Sequence, residues 1–259
     1  MTVQTAVKWG DFSTQVRYYS QRPPYSYDVL RCLVHYVQDE FPEIKIAELG
    51  AGTGNLLRSF HDLDVGGYAI EPDRKMRDEA FRLSEGNNSF KSFVWREGTA
   101  EATGLPDQSV NWILIGNAYQ FLDPDRTFPE CRRILQASGF LTVFWNIRDF
   151  ARDPLQGGIE EMVSKMVPGL KRTSLSIDAI MKGMDTKGMF KECLYVEAGY
   201  MRAYSPEGFL ATWQAGGDVP SQVSPAVWRD IIAATERMIP KQPQIETLWR
   251  THAWTFRRQ

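Results

Sequence analysis

The sequence predicts an α/β fold, in which a doubly wound, mostly parallel sheet of seven strands carries an inserted helical cap. Short apolar runs alternate with segments of helical periodicity up to residue 146, which is typical of strand–helix–strand units with right-handed crossovers. Residues 110–116 (VNWILIG) are apolar without strict alternation, as expected for a parallel strand covered on both faces. After residue 146 the alternation ends, and amphipathic helices follow.

The first half of the chain supplies five strands and the helices between them. A helix over residues 25–40 comes first, because Pro23-Pro24 precedes five apolar residues on one stripe. These five are Val29, Leu30, Leu33, Val34 and Val37. Strands are predicted at residues 44–49, 67–71, 93–95, 110–116 and 139–146. Helices are predicted around Leu56, Leu57 and Phe60, over residues 72–83, and through Glu130, Ile134 and Leu135 to an end near Ser138-Gly139.

The second half completes the sheet and builds the cap. Ser205-Pro206 and Ser224-Pro225 each combine a Ser N-cap with Pro at the first helical position, so each predicts a helix start. Late strands are expected at residues 195–201 and 251–257. An amphipathic helix that ends at Pro168-Gly169 places five residues on one side, namely Ile159, Met162, Val163, Met166 and Val167. A methionine-rich stretch follows, with Met181, Met184 and Met189.

The composition is that of a globular chain and excludes several classes of protein. Of 259 residues, 43% are hydrophobic and 24% charged, so a disordered tail protein is excluded. The net charge of −2 and the lack of a dense cationic block argue against a nucleic-acid partner. No apolar stretch reaches the roughly 20 residues that a membrane span needs. Cys32, Cys131 and Cys193 form no CxxC pair, so we expect no metal site, no disulfide framework and a cytoplasmic location.

A glycine-rich turn, Gly50-Ala51-Gly52-Thr53-Gly54, lies between a predicted strand and a predicted helix. Glycine permits positive φ and lets a ligand approach the backbone closely, so this context suits nucleotide binding. The dinucleotide pattern G-x-G-x-x-G is not met, because Asn55 stands at its third glycine. No Gly-Lys-Ser/Thr follows, which excludes a phosphate-binding P-loop. Tight packing alone is the alternative explanation of such a turn.

The pattern E-x-G-x-G-x-G at residues 48–54 resembles motif I of the class I S-adenosylmethionine-dependent methyltransferases, and further motifs follow in the family's order. They lie at residues 68–76 (with YAIEPD), 98–110 (with GTAE and LPD), 117–121 (NAYQF) and 130–139. The resemblance covers about residues 44–146. It implies a Rossmann-like sheet, S-adenosylmethionine as cofactor with S-adenosylhomocysteine as product, and a small-molecule or natural-product acceptor.

The resemblance also implies a set of cofactor-binding residues. Glu71, at the end of the second strand, would accept hydrogen bonds from the ribose hydroxyls; a surface carboxylate is the alternative. Pro72 and Met76 would pack on the adenine, and Thr99 and Ala100 would recognise its edge, Ala100 through its backbone N–H. Glu101 either belongs to the site or only caps a turn. The implied set in the core is Glu48, Gly50, Ala51, Gly52, Glu71, Pro72, Met76, Thr99, Ala100, Glu101 and Asn117.

Residues 12–25 (FSTQVRYYSQRPPY) resemble a leader that folds over the cofactor in small-molecule methyltransferases of this class. Tyr19 and Arg22 are the candidates for closing this lid. The Arg22 guanidinium would match the methionyl carboxylate as a bidentate donor. Stabilisation of the start of the first helix is the alternative role for Arg22.

Four residues at the ends of the fourth and fifth strands are predicted to border the acceptor pocket, because ligands bind there in open α/β sheets. They are Tyr119, Gln120, Trp145 and Asn146, although core packing is a strong alternative for Trp145. Related enzymes often carry His-Trp where this chain has Gln120-Phe121, so no base is evident there. This favours an acceptor that is nucleophilic without help: an amine, a carboxylate or an electron-rich carbon.

Together these observations predict three regions: a helical lid at residues 1–40, a cofactor-binding core at 41–149, and a cap completing the sheet at 150–259. The predicted function is methyl transfer to a small, apolar or aromatic metabolite, as in secondary metabolism, with the N-, C- or O-acceptor and the oligomeric state left open. The 8 Trp, 14 Phe and 9 Met favour an apolar acceptor. Two alternatives are a nicotinamide-dependent oxidoreductase, disfavoured by Asn55 and by the lack of a Tyr-x-x-x-Lys pair, and a non-catalytic cofactor-binding protein.

Overall fold

The structure is a computed structural model that describes residues 16–85, 90–172, 180 and 188–259, with the side chains of residues 17, 192 and 193 left out. Two predicted features lie outside the described residues: the first part of the leader, residues 12–15, and Met181 and Met184 of the methionine-rich stretch. Among the described residues, no helix is long and apolar enough to cross a membrane.

The predicted seven-stranded sheet is confirmed, with strand order β3-β2-β1-β4-β5-β7-β6. The strands are β1 (Lys45–Leu49), β2 (Gly66–Ile70), β3 (Phe93–Arg96), β4 (Val110–Gly116), β5 (Leu135–Arg148), β6 (Phe190–Tyr204) and β7 (Ile245–Arg258). The pairs β1–β2, β1–β4, β2–β3 and β4–β5 are parallel. The strand order reverses between β1 and β4, which is the position where doubly wound sheets bind ligands.

The described part of the chain has eight α-helices, of which two precede β1 and six lie between strands. They are α1 (Val16–Tyr19), α2 (Tyr27–Gln38), α3 (Asn55–Arg58), α4 (Arg74–Ser84), α5 (Pro124–Ile134), α6 (Pro154–Met166), α7 (Pro206–Gln214) and α8 (Pro225–Met238). A 3-10 turn spans Tyr119–Phe121. The predicted starts of α7 and α8 are confirmed, because Ser205 Oγ accepts from the Gly208 N–H and Ser224 Oγ from the Val227 N–H.

The chain forms two compact units. The described residues of the sheet unit lie within Pro24–Ile147, Leu175–Tyr200 and Arg250–Gln259, and those of the second unit lie within Met1–Pro23, Arg148–Ser174 and Met201–Trp249. The second unit contains α1, α6, α7 and α8.

The core of the sheet unit consists of two apolar clusters, one on each face of the sheet. Because side chains alternate along a strand, Trp112 and Leu114 of β4 join one cluster while Ile113 and Ile115 join the other. All four are fully buried. The apolar stripe predicted for α2 is confirmed in full, since its five residues are buried in the cluster that contains Trp112.

One helix boundary was predicted wrongly. The helix before the fifth strand ends at Ile134 rather than near Ser138-Gly139, and β5 begins at Leu135. Pairing shifts from Val110↔Leu135 to Trp112↔Phe140, so the strand carries an irregularity in which Ser138 has φ +60°. The Ser-Gly pair therefore marks a bulge inside a strand. A turn signal in the sequence does not distinguish the end of a helix from a bulge inside a strand.

Gly67 in β2 is a position where no side chain fits. Its φ is +143°, and a Cβ would lie 2.0 Å from the backbone oxygen of Ile46, its partner in β1. Gly67→Ala is therefore expected to lower the free energy of unfolding by about 4 kcal/mol or more, measured by urea titration. Gly158→Ala in α6 is the control, because its Cβ would meet only Met238 Cε at 3.5 Å and alanine favours helix. A loss of under about 1 kcal/mol for Gly67→Ala would contradict the close packing of β1 and β2.

Candidate active site

The glycine-rich turn follows β1 directly and has the backbone that the sequence predicts. Gly50, Gly52 and Gly54 have φ of +71°, +58° and +74°, values that side chains disfavour. The N–H groups of Gly50 and Ala51 both donate to the Ile70 carbonyl, at 2.9 and 3.0 Å. These bonds tie the turn to the end of β2.

Glu71 immediately follows β2, and its buried carboxylate holds two loops together. Its Oε2 accepts from the Gly52 N–H at 2.7 Å, and its Oε1 accepts from the Asp73 N–H at 2.8 Å. Arg77 donates to the Glu71 carbonyl at 2.6 Å. Burial raises the pKa of Glu71, although the backbone bonds from Asp73 and Gly52 oppose that shift. The carboxylate is therefore turned into the protein and fixed beside the glycine turn.

Glu48, on β1, places a second buried carboxylate near Glu71. Burial and the negative charge of Glu71 raise the pKa of Glu48 well above its ordinary value, and Arg58 offsets part of this. Glu48 Oε2 is buried and has no hydrogen-bond partner among the described residues. Thr53 Oγ1, in the glycine turn, is likewise buried and has no hydrogen-bond partner among the described residues. Buried polar atoms are normally paired, so these two acceptors point to a ligand with donor groups.

The turn leaves room for a ligand at one glycine only. A Cβ on Gly52 would meet no atom within 4 Å, whereas a Cβ on Gly50 would lie 3.0 Å from Ala118 Cβ. A Cβ on Gly54 would lie 2.4 Å from the Phe90 ring. Gly50 and Gly54 are therefore needed for packing and backbone conformation, and Gly52 borders open space. Ala51 is 5% exposed and packs in the core, so only its backbone is available.

The residues predicted to surround the adenine differ in exposure. Met76 is 5% exposed in α4, Pro72 and Thr99 are exposed, and Ala100 is buried. Asp73 caps α4 by accepting from the N–H groups of Lys75 and Met76.

Glu101 bonds to the start of α5 instead of facing an open site. It accepts from the Asp123 N–H at 3.1 Å and from the Thr127 hydroxyl at 3.4 Å. Burial alone would raise the pKa of Glu101, but hydrogen bonds from Asp123, Thr99 and Thr127 outweigh it, and the pKa falls below its ordinary value. This geometry fits the second interpretation of Glu101, the stabilisation of a turn. Its role in cofactor binding stays a prediction.

The ends of β4 and β5 are joined by a hydrogen-bond network that the sequence did not reveal. Asn117, with φ +51°, accepts from the Tyr25 hydroxyl at 2.8 Å and from the Asn146 N–H at 2.9 Å. The Asn146 side chain bonds in turn to the hydroxyls of Tyr200 and Thr251. Both asparagines therefore fix the local backbone, and the predicted contacts of Asn117 with the cofactor and of Asn146 with the acceptor stay predictions. The sequence singled out Asn117 and Asn146, and Tyr25 ends the leader-like segment, but nothing in the sequence indicated Tyr200 or Thr251.

The other three acceptor-pocket candidates lie in different surroundings. Tyr119 and Trp145 are 8% and 7% exposed and belong to the apolar core, so core packing accounts for their positions. Burial raises the pKa of Tyr119 to about 12. Gln120 donates from Nε2 to the Asn117 carbonyl at 3.1 Å, while its Oε1 is buried without a partner among the described residues. Gln120 is thus the candidate with an acceptor group still available.

Tyr19 and Arg22 belong to the second unit, where the Arg22 guanidinium lies 5.1 Å from the centre of the Tyr19 ring. Their predicted position over the cofactor stays a prediction.

The histidines have contacts or positions typical of structural or surface residues. His35 is exposed on α2, His61 pairs with Asp62 at 2.8 Å, and His252 bonds to the Tyr195 hydroxyl.

Comparison with known proteins identifies the fold family. The profile of the methyltransferase domain family matches residues 47–143 of the chain. This segment contains the glycine turn, Glu71, all of β2, β3 and β4, and parts of β1 and β5. Residues 47–143 are a class I S-adenosylmethionine-dependent methyltransferase domain. The resemblance seen in the sequence is thereby confirmed.

Curated relatives of this methyltransferase domain share only part of the chain. An uncharacterized methyltransferase of Mycobacterium tuberculosis is 33% identical over 105 residues, which are 40% of this chain and 41% of that protein. An uncharacterized methyltransferase of Schizosaccharomyces pombe is 28% identical over 144 residues, 53% of each chain. The chain thus spans about two fifths to one half of the length of the curated relatives it matches.

Solved structures confirm the fold of the methyltransferase domain. A protein from Anaeromyxobacter dehalogenans, assigned provisionally as a type II methyltransferase, aligns with a TM-score of 0.61 at 18% identity over 91% of this chain and 97% of its own. The YcgJ protein of Bacillus subtilis aligns with a TM-score of 0.51 at 15% identity, over 84% of this chain and 92% of its own. At these identities the likeness shows the fold alone.

Membership of this family implies S-adenosylmethionine as the cofactor, and the residues at the turn fit that group. Open space above Gly52 would admit a ligand against bare backbone. The acceptor atoms Glu48 Oε2 and Thr53 Oγ1 suit a ligand that carries an ammonium group and hydroxyls. Two buried carboxylates, Glu48 and Glu71, suit a ligand with positive charge.

Proposed function

We propose that this chain transfers a methyl group from S-adenosylmethionine to a small, apolar or aromatic metabolite. The observation that carries the proposal is the pairing of Glu71 with Gly52. The Glu71 carboxylate is fixed by the Gly52 N–H at 2.7 Å, beside the one glycine of the turn that faces open space. The Glu71 carboxylate thus lies next to the Gly52 backbone, at the point where the strand order of the sheet reverses. This arrangement suits a nucleoside that carries a charged group, such as the methionyl part of S-adenosylmethionine.

Different residues of the chain hold different parts of the cofactor. Glu71 keeps lone pairs for the ribose hydroxyls after accepting its two backbone bonds. Gly52 and Glu48 take the methionyl part, with the Glu48 charge balancing its ammonium group. When bound, S-adenosylmethionine supplies a methyl group on a sulfonium, and the carbon–sulfur bond breaks as the acceptor bond forms, leaving S-adenosylhomocysteine. The protein then has to align the acceptor and exclude water.

Of the four candidate residues on the acceptor side, none is suited to removing a proton at neutral pH, and one can orient the acceptor. Gln120 Oε1 accepts a hydrogen bond from an N–H or O–H of the acceptor but cannot remove its proton. Tyr119, with its pKa raised to about 12, stays protonated at neutral pH and donates to the Ile180 carbonyl. An acceptor that is already nucleophilic, such as an amine, a carboxylate or an electron-rich carbon, therefore suits this site.

A transfer assay tests the proposed reaction. The protein is incubated with S-adenosylmethionine labelled in its methyl group and with panels of small aromatic amines, carboxylic acids and phenols. We expect label in an organic product from the amine or acid panel, with an equal amount of S-adenosylhomocysteine. Tight binding of the cofactor with no transfer to any panel member would favour the non-catalytic alternative. Label that moves only to added protein or RNA would contradict a small-molecule acceptor.

Cofactor affinity is expected to fall at acid pH because of Glu48. Its pKa is raised by burial and by Glu71, with Arg58 opposing, and a cationic ligand favours its ionised form. Affinity for S-adenosylmethionine should therefore decrease as the pH falls through this raised pKa. In Glu48→Gln the affinity at neutral pH should be about tenfold lower and should depend less on pH than in the wild type, with Glu71, whose pKa is also raised, supplying the remaining dependence; calorimetry from pH 5 to 8 measures both. An unchanged pH profile in Glu48→Gln would remove Glu48 from the site.

A further inference from the structure

The second unit contains a pocket, and the described residues that line it all lie between Arg148 and Ile231. The interior of this pocket measures about 30 Å³, and the space rises to about 340 Å³ only when the open solvent at its mouth is counted. The aromatic side chains of Phe150, Trp213 and Trp228 form part of its wall, with aliphatic residues beside them. Walls of this kind are typical of sites for small organic molecules, in which a few polar groups fix the orientation.

Arg148 is a charged residue on the wall of this pocket. Its guanidinium carbon lies 4.3 Å from the centre of the Trp213 ring and 4.9 Å from that of the Trp249 ring. Nη2 donates to the carbonyl and hydroxyl of Thr212 at 2.8 and 3.1 Å. Two aromatic faces and one threonine thus hold the side chain in place.

Two N–H donors at this pocket lack acceptors. Arg148 Nε and Trp213 Nε1 are both buried and have no hydrogen-bond partner among the described residues. A buried donor left unpaired is costly, and for a charged group the cost is larger. Both residues line this pocket, and their two unpaired donors indicate a ligand that brings acceptor oxygens.

Arg148 also lacks a carboxylate partner in the described part of the chain, unlike the other arginine on this pocket. Arg172 pairs with Glu160 through two nitrogens and with Asp218 at 2.7 Å. Asp218 attracts Arg148 as well, but its hydrogen bond goes to Arg172. Burial, with the charges of Arg22 and Arg172, lowers the pKa of Arg148 to about 10, so the group remains protonated at neutral pH. Among these described groups, Arg148, Arg172 and Arg22 outnumber Glu160 and Asp218 by one charge, so the net charge around Arg148 is positive.

We propose that this pocket binds a small organic carboxylate whose apolar body packs against Trp213, Trp228 and Phe150. The carboxylate oxygens would accept from Arg148 Nε and Trp213 Nε1, which supplies the missing partners and balances the guanidinium charge. A carboxylate on an aromatic body matches the walls better than inorganic phosphate, whose oxygens face outward on all sides. The inference does not depend on the proposed methyl transfer.

Calorimetric titration of the full chain, without S-adenosylmethionine, tests this proposal with benzoate, its neutral isostere benzamide, and inorganic phosphate. We expect benzoate to bind with a Kd in the millimolar range and benzamide at least about tenfold more weakly. Equal binding of benzoate and benzamide, tighter binding of phosphate, or no binding of benzoate up to about 100 mM would each overturn it. This comparison uses the wild-type protein, so it holds whether or not a variant folds.

Substitutions of two residues that line the pocket, compared with a control substitution elsewhere in the same unit, test whether benzoate binds at this pocket. Arg148→Gln and Trp213→Phe should each weaken benzoate binding, by about tenfold or more and by several-fold respectively. Arg152→Gln is the control, because Arg152 belongs to the same unit, its side chain is 69% exposed and it lies 3.9 Å from Asp149. Benzoate affinity should be unchanged in that variant. Wild-type affinity for benzoate in folded Arg148→Gln would overturn the assignment, and folding is checked by circular dichroism.

Discussion

Replacing Gly52 with alanine is expected to remove S-adenosylmethionine binding while the protein stays folded. No atom lies within 4 Å of the position that the new Cβ would take, so the methyl group enters the space assigned to the cofactor. The affinity should fall by about 100-fold or more, the effect of forcing an extra carbon into a filled site. Calorimetry with S-adenosylmethionine measures the loss.

Gly188→Ala is the matched control for this variant. Gly188 has φ +57°, against +58° at Gly52, and it too has no atom within 4 Å of a Cβ. Both substitutions therefore carry the same backbone strain, of about 1–2 kcal/mol. We expect Gly188→Ala to bind the cofactor as the wild type does. Equal affinities in the two variants would show that Gly52 serves only the conformation of the turn.

Replacing Glu71 with alanine is expected to weaken S-adenosylmethionine binding by about 10- to 100-fold, or roughly 1–3 kcal/mol. The change removes the predicted acceptor for the ribose hydroxyls. It also frees the Gly52 and Asp73 N–H groups that Glu71 now holds at 2.7 and 2.8 Å. The loss therefore combines a missing ligand contact with a looser turn, and a competition assay against S-adenosylhomocysteine measures it.

Glu97→Ala serves as the control for Glu71→Ala. The Glu97 side chain is 77% exposed and pairs with Arg77, the same arginine that donates to the Glu71 carbonyl. Removing this exposed carboxylate should change cofactor affinity by less than about twofold. Unchanged affinity in Glu71→Ala would remove Glu71 from the cofactor site.

The sheet could be predicted from the sequence because its signals are local. Residues 110–116 were predicted and found as β4, and the α2 stripe needed only helical spacing. The boundary at Ser138-Gly139 failed because the outcome depended on pairing with β4, which is a long-range contact. Local turn chemistry does not specify whether such a pair ends an element or forms a bulge.

The candidate active site was predictable only in part. The glycine turn and Glu71 are recognisable because their spacing along the chain is fixed by adjacent strands. The Asn117–Asn146 network joins residues 29 positions apart and needs Tyr200 and Thr251 from distant strands. The pocket around Arg148 and Trp213 likewise combines residues from separate helices and loops of the second unit. Such groupings arise from tertiary packing and leave no periodic signal in the sequence.

Calorimetric titration of the wild-type chain with S-adenosylmethionine, S-adenosylhomocysteine and NADH shows which cofactor the turn at residues 50–54 binds. We expect both sulfur compounds to bind with a stoichiometry of one, to compete with each other, and NADH to produce no binding heat. Binding of NADH alone, with none of either sulfur compound, would contradict the assignment of the turn at residues 50–54 to S-adenosylmethionine.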